Sequence, residues 1–173
     1  MNISPLSDRH LQLNAKMADF GGWLMPIEYA QSGVIAEYTS VRERVGIFDV
    51  SHLGKISIKG EGAVAFLNQM VTNDLNRIEA GQAQYNLLCN ENGGVVDDLI
   101  VYKYSDSDLF LIPNAANTTA VFQMLKASAP STLTLVNQHK DYAVLALQGP
   151  DSVKALGLLG IESDLDYMAF KSA

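Results

Sequence analysis

The sequence has little that would tie it to an oxidising compartment or to a membrane. Its single cysteine, Cys89, can neither pair within the chain nor build a metal cluster. No apolar run approaches the ~20 residues that cross a bilayer. The N-terminal stretch MNISPLSDRHLQLNAKM also lacks the basic and apolar regions of a secretion signal. We therefore expect a cytoplasmic protein with no metal site and no membrane partner.

Basic clusters and several well-known catalytic motifs are missing as well. The formal net charge is -7, and the lysines and arginines are scattered singly, so no basic stripe could follow a phosphate backbone. The motifs G-x-x-x-x-G-K-[ST], G-x-G-x-x-G, H-E-x-x-H and G-x-S-x-G do not occur. These absences argue against nucleic-acid binding, phosphate-cradling loops, zinc proteases and serine hydrolases.

The residues that are present describe a globular α+β protein, since 48% of them are hydrophobic and 18% are charged. Residues 1–32 show only short periodic pieces, and a helix is expected over 34–45. From residue 55 to 137 the pattern reads β-α-β-β-β-α-β, which is typical of a ferredoxin-like, split βαβ unit with one added strand. The predicted elements are strand 55–59, helix 63–71, strands 82–90, 95–104 and 109–113, helix 118–127 with Asn117 as N-cap, strand 132–137, strand 143–148 and helix 152–160.

Two adjacent carboxylates, Asp97 and Asp98, interrupt an otherwise apolar strand. The dipeptide Asn92-Gly93 predicts a two-residue hairpin turn before that strand. The resulting register pairs Leu87 with Asp98, and it likewise pairs Tyr85 with Ile100 and Cys89 with Val96. Alternation then places Asp98 on an apolar face and Asp97 on a mixed face among amides.

Asp98 is therefore the carboxylate that needs an explanation. On an apolar face it must be paired, hydrogen-bonded or protonated, and desolvation would raise its pKa. Tyr85 lies diagonally across the strands from Asp98, and the two side chains together could bind a flat, nitrogen-bearing heterocycle. The alternative is a buried aspartate that is satisfied by loop amides. A three-residue loop with a bulge would exchange the two aspartates.

Other candidate residues carry less weight. His52 stands just before the first strand of the split βαβ unit without Cys or His partners, which favours a structural role. His10 and His139 lie in polar sequence and are expected to be exposed. Asn114 ends a strand and either binds a ligand or makes the turn. Cys89 is expected to be a small core side chain.

A series of motifs, in order and along nearly the whole chain, closely resembles the T-protein of the glycine cleavage system, an aminomethyltransferase family. The motifs are SPLSDRHLQLNAKMADFGGWLMPIEY (4–29), VRERVGIFDVSHLGK (41–55), FLNQMVTND (66–74), GQAQYNLLCNENGGVVDDLIVY (81–102), NAAN (114–117) and DYAVLALQGP (141–150). The resemblance implies a folate-dependent enzyme. Family members take the aminomethyl group from the lipoyl arm of H-protein, pass its one-carbon unit to tetrahydrofolate and release ammonia.

The resemblance also assigns roles to residues. Asp98 matches the family aspartate beside the pterin, which would orient the attacking folate nitrogen and handle its proton. The matching pterin-pocket positions are Tyr85, Leu53, Ile100, Ile112 and Asn114. H-protein would be the direct partner, and the P-protein and L-protein of the same system would be indirect partners.

The chain departs from the family in length, because T-proteins are about twice as long. By the family layout, residues 54–138 form the ferredoxin-like middle domain, and residues 1–53 with 139–173 form an incomplete first folate-binding domain. The C-terminal barrel and the downstream glutamate and arginine that hold folate have no counterpart. We therefore expect a truncated gene product, a fragment, or one half of a split enzyme that a second chain completes.

Two other functions remain open in the same fold. One is a non-catalytic folate-binding or assembly module, although the K-G-C-[YF]-x-G-Q-E motif of such relatives is missing. The other is a folate-dependent demethylase, against which the strings SHLGK, GQAQY and GGVVDDLIVY are more similar to T-protein.

Overall fold

A computed structural model describes residues 1–172. The chain divides into two compact units, the first made of Met1–His52 and Lys140–Asp164, and the second of Leu53–His139 and Leu165–Ser172. The elements of the first unit are β1 (Asn2–Ile3), α1 (Ser7–Gln12), β2 (Ala15–Phe20), β3 (Trp23–Tyr29), α2 (Gly33–Glu43), β4 (Gly46–Asp49), β10 (Leu145–Gln148) and α5 (Ser152–Leu158). Those of the second unit are β5 (Ile56–Lys59), α3 (Ala63–Leu67), the short 3-10 helix Leu75–Arg77, β6 (Gln82–Cys89), β7 (Val95–Ser105), β8 (Asp108–Pro113), α4 (Thr118–Ser128) and β9 (Thr134–Asn137).

The second unit has the split βαβ topology expected from the sequence. Its five strands pair antiparallel in the order β6-β7-β8-β5-β9. Strand β8 lies between β5 and β7, which run parallel to each other, and β6 is the added strand at the edge. The α+β fold class with a ferredoxin-like unit is thus confirmed.

The core of this unit lies between one sheet face and the two helices α3 and α4. Apolar residues alternate along the strands, so that every second side chain enters the core. Burying these side chains stabilises the unit by about 1.5–3 kcal/mol for each large one. Its fully buried members include Ile56, Ile58, Leu67, Val101, Leu109, Leu111, Val121 and Leu125.

The first unit contains structure where the sequence predicts only short periodic pieces. Strands β2 and β3 form a hairpin through Gly21 and Gly22, whose φ angles of 60° and 83° suit a two-residue turn that only glycine adopts easily. Strand β1 joins this hairpin, and β4 pairs with β10. The Gly-Gly dipeptide is a sequence feature that could have indicated this hairpin.

His10 is buried, with 7% of its surface exposed, so the expectation of an exposed side chain is wrong. Its Nδ1 lies 2.9 Å from Tyr29 Oη, and its Nε2 lies 2.8 Å from Asp49 Oδ2. Asp49 also accepts a hydrogen bond from the hydroxyl of Ser4. Polar neighbours in the sequence do not report these partners, because Tyr29 lies in β3, Asp49 lies in β4 and Ser4 directly follows β1.

Two other details differ from the sequence predictions. Helix α3 ends at Leu67 instead of extending to residue 71, and the chain then turns toward the edge of β6. Residues 165–172, expected in the first domain, lie in the second unit, where Ala169 bridges to Gln82 and the ring of Phe170 packs 5.2 Å from that of Tyr102. Within residues 1–172, no helix has the length and apolar content that a membrane crossing requires.

Candidate functional site

The hairpin formed by β6 and β7 has the predicted register over most of its length. Tyr85 lies opposite Ile100, and Leu87 lies opposite Asp98. Near the turn the pairing shifts, so that Cys89 lies opposite Val95 and the predicted pair with Val96 is wrong.

The shift arises from the loop. Three residues separate Asn90 from Gly94, whose carbonyl accepts the Asn90 N–H at 2.9 Å. The Asn90 side-chain oxygen accepts from the N–H groups of Asn92 and Gly94, and Gly93 adopts a φ of 79°. A loop of this length would exchange the two faces, but the bulge next to Leu88 restores them.

The two aspartates have environments opposite to those expected from the face pattern. Asp97 is buried, with 3% of its surface exposed, whereas Asp98 is exposed. The face expected to be mixed, with Gln84, Asn86 and Asp97, is the one that the helices cover. The expected desolvation of Asp98 is therefore wrong, and its sheet face is open.

Asp97 is buried at low cost because one loop supplies hydrogen-bond donors to both of its oxygens. Its Oδ2 accepts from the Asn114 N–H at 2.8 Å, and its Oδ1 accepts from Asn114 Nδ2 at 3.1 Å and from Asn117 Nδ2 at 2.7 Å. A buried carboxylate needs such partners. The satisfied buried aspartate considered from the sequence is thus Asp97.

On the open face, three side chains form a row across neighbouring strands. Tyr85 on β6 pairs with Ile100 on β7, which pairs with Ile112 on β8. Tyr85 is 54% exposed, and the two isoleucines are half-buried. This row is a shallow apolar platform with a polar phenol at one end.

Asp98 stands beside this row and is held from two sides. The Tyr85 hydroxyl donates to Asp98 Oδ2 at 3.1 Å, and Asn114 Nδ2 donates to Asp98 Oδ1 at 3.0 Å. Each carboxylate oxygen keeps acceptor capacity toward solvent, because an ionised carboxylate has about four lone-pair sites. The Asp98 carboxylate can thus accept a hydrogen bond from a ligand that lies on the platform.

The hydrogen bond to Asp98 raises the pKa of the Tyr85 phenol above its usual value of 10.0, and burial and the charges of Asp98 and Asp97 act in the same direction. The phenol therefore stays protonated at neutral pH. It acts at this site as a donor and as a flat surface, and not as a base.

Leu53 lies at the same end of the sheet. The next residue, Gly54, donates its N–H to the carbonyl of Pro113 at 2.8 Å, one residue before Asn114. Leu53 is half-buried. The structure thus brings together Tyr85, Asp98, Ile100, Ile112 and Asn114 by direct pairing or hydrogen bonds, and it brings the backbone of Leu53 to their border.

Sequence reasoning missed two residues that support this site. Asn117 occupies the N-cap of α4 as expected, but its side chain makes no capping hydrogen bond and donates to Asp97 instead. Asn73 donates through its side chain to the carbonyl of Tyr85 at 3.3 Å and through its backbone to Asn86 Oδ1 at 3.0 Å. The repeated asparagine in N-A-A-N could have indicated paired amides around a carboxylate.

A chemical description of the site follows from these contacts. A flat ring could lie on the apolar row, with a ring N–H directed at the Asp98 carboxylate. Apolar side chains with a few placed polar groups are typical of the lining of small-molecule sites. Phosphate recognition does not fit, because the charges at the site are carboxylates.

Comparison with known proteins gives a consistent result. The family model described as "GCVT N-terminal domain" matches residues 6–173. An aminomethyltransferase of Mycobacterium avium (strain 104) is 56% identical over 166 residues, which cover 96% of this chain and 45% of that relative. The aminomethyltransferase of Mycobacterium tuberculosis (strain ATCC 25618 / H37Rv) is 54% identical over 169 residues, covering 98% of this chain and 46% of the relative.

A solved structure agrees with these matches. The crystal structure of glycine cleavage system aminomethyltransferase T from Bartonella henselae superimposes with a TM-score of 0.91 and 33% sequence identity. The match covers 97% of this chain and 46% of that chain. The chain thus spans about half the length of the relatives that it matches.

Proposed function

The chain belongs to the glycine cleavage T-protein, or aminomethyltransferase, family, and we propose that it supplies the Asp98 half of a site that transfers a one-carbon unit to tetrahydrofolate. The donor would be the aminomethyl group on the lipoyl arm of H-protein. The observation that carries the proposal is the Tyr85–Asp98 pair beside the apolar row of Ile100 and Ile112.

The proposed reaction is a group transfer without oxidation or reduction. Tetrahydrofolate supplies two nitrogens that form new bonds to the methylene carbon, while the bonds from that carbon to the lipoyl sulfur and to the amine break. The two protons that leave the folate nitrogens are taken up by the products, a thiol and ammonia. The protein must therefore hold the reactants in line and accept or pass a proton.

Asp98 is the residue proposed for this work. Its carboxylate would accept a hydrogen bond from the N–H of the attacking folate nitrogen. This bond would orient the nitrogen toward the methylene carbon, and the carboxylate would handle its proton. Tyr85 and Asn114 hold the two carboxylate oxygens from opposite sides, which limits rotation of the group before a ligand arrives. Pre-organisation of this kind reduces the entropy lost on binding.

The remaining residues proposed for the pocket contribute contact with the ring. Ile100 and Ile112 offer an apolar surface next to the phenol of Tyr85. Leu53 would contribute at the border of the same surface. An apolar floor also suits an oxidation-prone reactant, because it limits the access of water to the ring.

The first test is binding of tetrahydrofolate to the 173-residue chain, measured by anaerobic calorimetry. We expect the wild type to bind and Asp98→Asn to bind about 10- to 100-fold more weakly, which corresponds to one hydrogen bond to a charged group. Glu91→Gln is the matched control, because Glu91 is an exposed carboxylate in the loop of the same hairpin. Equal affinity of the wild type and Asp98→Asn would contradict the role of Asp98.

The second test addresses transfer itself. The chain would be mixed with tetrahydrofolate and with H-protein that carries the aminomethyl group on its lipoyl arm, and ammonia would be measured. Release of ammonia that is lost in Asp98→Asn supports the aminomethyltransferase proposal. Binding of folate without release of ammonia would favour a binding module, or a need for the residues that the longer relatives carry.

A further inference from the structure

Asp97 is a buried carboxylate without a part in the reaction proposed above. It lies on the helix-covered face of β7, while its neighbour Asp98 lies on the open face. Its three hydrogen-bond donors come from one short loop, residues 114–117, between β8 and α4. The side chain thus fixes both ends of that loop.

The amide of Asn114 is the connection between the two aspartates. Its Nδ2 lies 3.1 Å from Asp97 Oδ1, 3.0 Å from Asp98 Oδ1 and 3.0 Å from the Asp98 carbonyl oxygen. All three atoms are acceptors only, so the nitrogen of the amide must face them. The amide has two hydrogens for these three acceptors, so its nitrogen stands between the two aspartates and is within hydrogen-bond distance of both.

The backbone of Asn114 is held by the same carboxylate, since its N–H donates to Asp97 Oδ2 at 2.8 Å. Asp97 thus determines both where Asn114 sits and which way its amide is turned. Asn117 contributes one bond to Asp97 and none to Asp98. A carboxylate that only holds the loop would not need a partner that also donates to Asp98. Asn114 donates to both aspartates, so Asp97 is connected to Asp98 through it.

We propose that Asp97 is a positioning residue that orients the Asp98 carboxylate through the side-chain amide of Asn114. The arrangement of these three residues stands independently of function, whereas its consequence for folate rests on the function proposed above. In this arrangement Asp98 meets its ligand with one oxygen already engaged by an oriented donor.

The first experiment observes the amide of Asn114 directly. Side-chain amide ¹⁵N relaxation and proton exchange would be measured in the wild type, Asp97→Asn, Asp97→Ala and Asn117→Ala. In Asp97→Asn the new NH₂ group faces either the N–H or the Nδ2 group of Asn114, depending on how it is turned. One of the two hydrogen bonds from Asn114 to residue 97 is therefore lost in either orientation. We expect the Asn114 amide to lose order and to exchange faster in both Asp97 variants.

The matched control is Asn117→Ala, which removes a donor from Asp97 but leaves every contact of Asn114 in place. We expect the Asn114 amide to stay ordered in this variant. Thermal melting of all variants would identify any that fail to fold, and the alanine and asparagine versions give two chances to observe a folded one. An Asn114 amide that is as ordered in a folded Asp97 variant as in the wild type would overturn the proposal.

The second experiment is a double-mutant cycle on tetrahydrofolate affinity with Asp97→Asn and Asp98→Asn. We expect Asp97→Asn to weaken binding about five- to tenfold in the wild-type background and to have no further effect once Asp98 is changed. A role in folding alone would weaken binding equally in both backgrounds, which would overturn the proposal. If the wild type binds no folate, the proposed function fails, and the amide measurements still decide the role of Asp97.

Discussion

Replacement of Asp49 by asparagine should destabilise the first unit selectively. The Asp49 side chain is 1% exposed, and it accepts hydrogen bonds from the Ser4 hydroxyl, from His10 Nε2 at 2.8 Å and from the Ser51 N–H at 2.9 Å. An amide of the same size keeps only one acceptor oxygen, so one or two of these bonds are lost. Each hydrogen bond to a charged group contributes about 1.5–3 kcal/mol, and the expected loss is about 2–4 kcal/mol.

The assay uses the single tryptophan of the chain. Trp23 lies in β3 of the first unit and is 1% exposed, so its fluorescence follows the unfolding of that unit. In urea, a loss of about 2–4 kcal/mol moves the midpoint of the fluorescence transition down by about 1–2 M. The control is Asp141→Asn, at an exposed position of the same unit, and it should leave the midpoint unchanged.

The same substitution should remove part of the acid sensitivity of the first unit. Burial alone would raise the pKa of Asp49, but hydrogen bonds from Ser4, Ser51 and His10 outweigh it and hold the pKa below the ordinary 3.8. A carboxyl with a lowered folded-state pKa stabilises the fold above its unfolded pKa, and this stability is lost as the pH falls through the folded pKa. Asp49→Asn should therefore lose less stability than the wild type below about pH 4. Equal urea midpoints at pH 7, or equal losses in acid, would refute the reasoning.

Three further predictions concern the second unit. Asp98→Asn should lower the pKa of Tyr85 toward 10, because a neutral amide replaces the charged acceptor that raises it. A tyrosinate absorbance titration measures this pKa, and an unchanged value would contradict the Tyr85–Asp98 hydrogen bond. Gly54→Ala should destabilise the unit by about 1–3 kcal/mol, because the added Cβ would lie 2.3 Å from Thr118 Oγ1. Urea unfolding followed by circular dichroism measures this loss. An unchanged stability would mean that the backbone around residue 54 shifts without cost. Leu125→Ala should lower the free energy of unfolding by about 2–5 kcal/mol in the same assay, since Leu125 is fully buried in α4. A loss under about 1 kcal/mol would show that neighbouring side chains move in to fill the cavity.

The sequence predicts the strands of the second unit and the register of the hairpin formed by β6 and β7, because both depend on local features. Alternating apolar residues give the strands, and two strands joined by a short loop pair with each other. The register near Tyr85 and Asp98 was predicted correctly even though the loop has three residues and not two. The bulge compensates for the longer loop, and two-residue alternation cannot reveal it.

The covered face of the sheet could not be predicted from the pattern. Gln84 and Asn86 made one face look mixed, yet they are 8% and 1% exposed. The amide of Gln84 donates to the Asp74 carbonyl, and Asn86 Oδ1 accepts from the Asn73 N–H, so both amides are satisfied by a loop at the sheet edge. Burial of a polar residue thus depends on partners far along the sequence, which periodicity does not contain.

The two adjacent aspartates show how one strand can place one carboxylate in the covered face of the sheet and the next on the open face. Side-chain alternation sends Asp97 into the covered face, where loop donors satisfy it, and sends Asp98 to the open face, where it remains accessible. Asn114 reaches both carboxylates because it follows β8, the strand next to β7. A single carboxylate could not be buried enough to anchor the loop and exposed enough to meet a ligand, so the two roles proposed above need two residues.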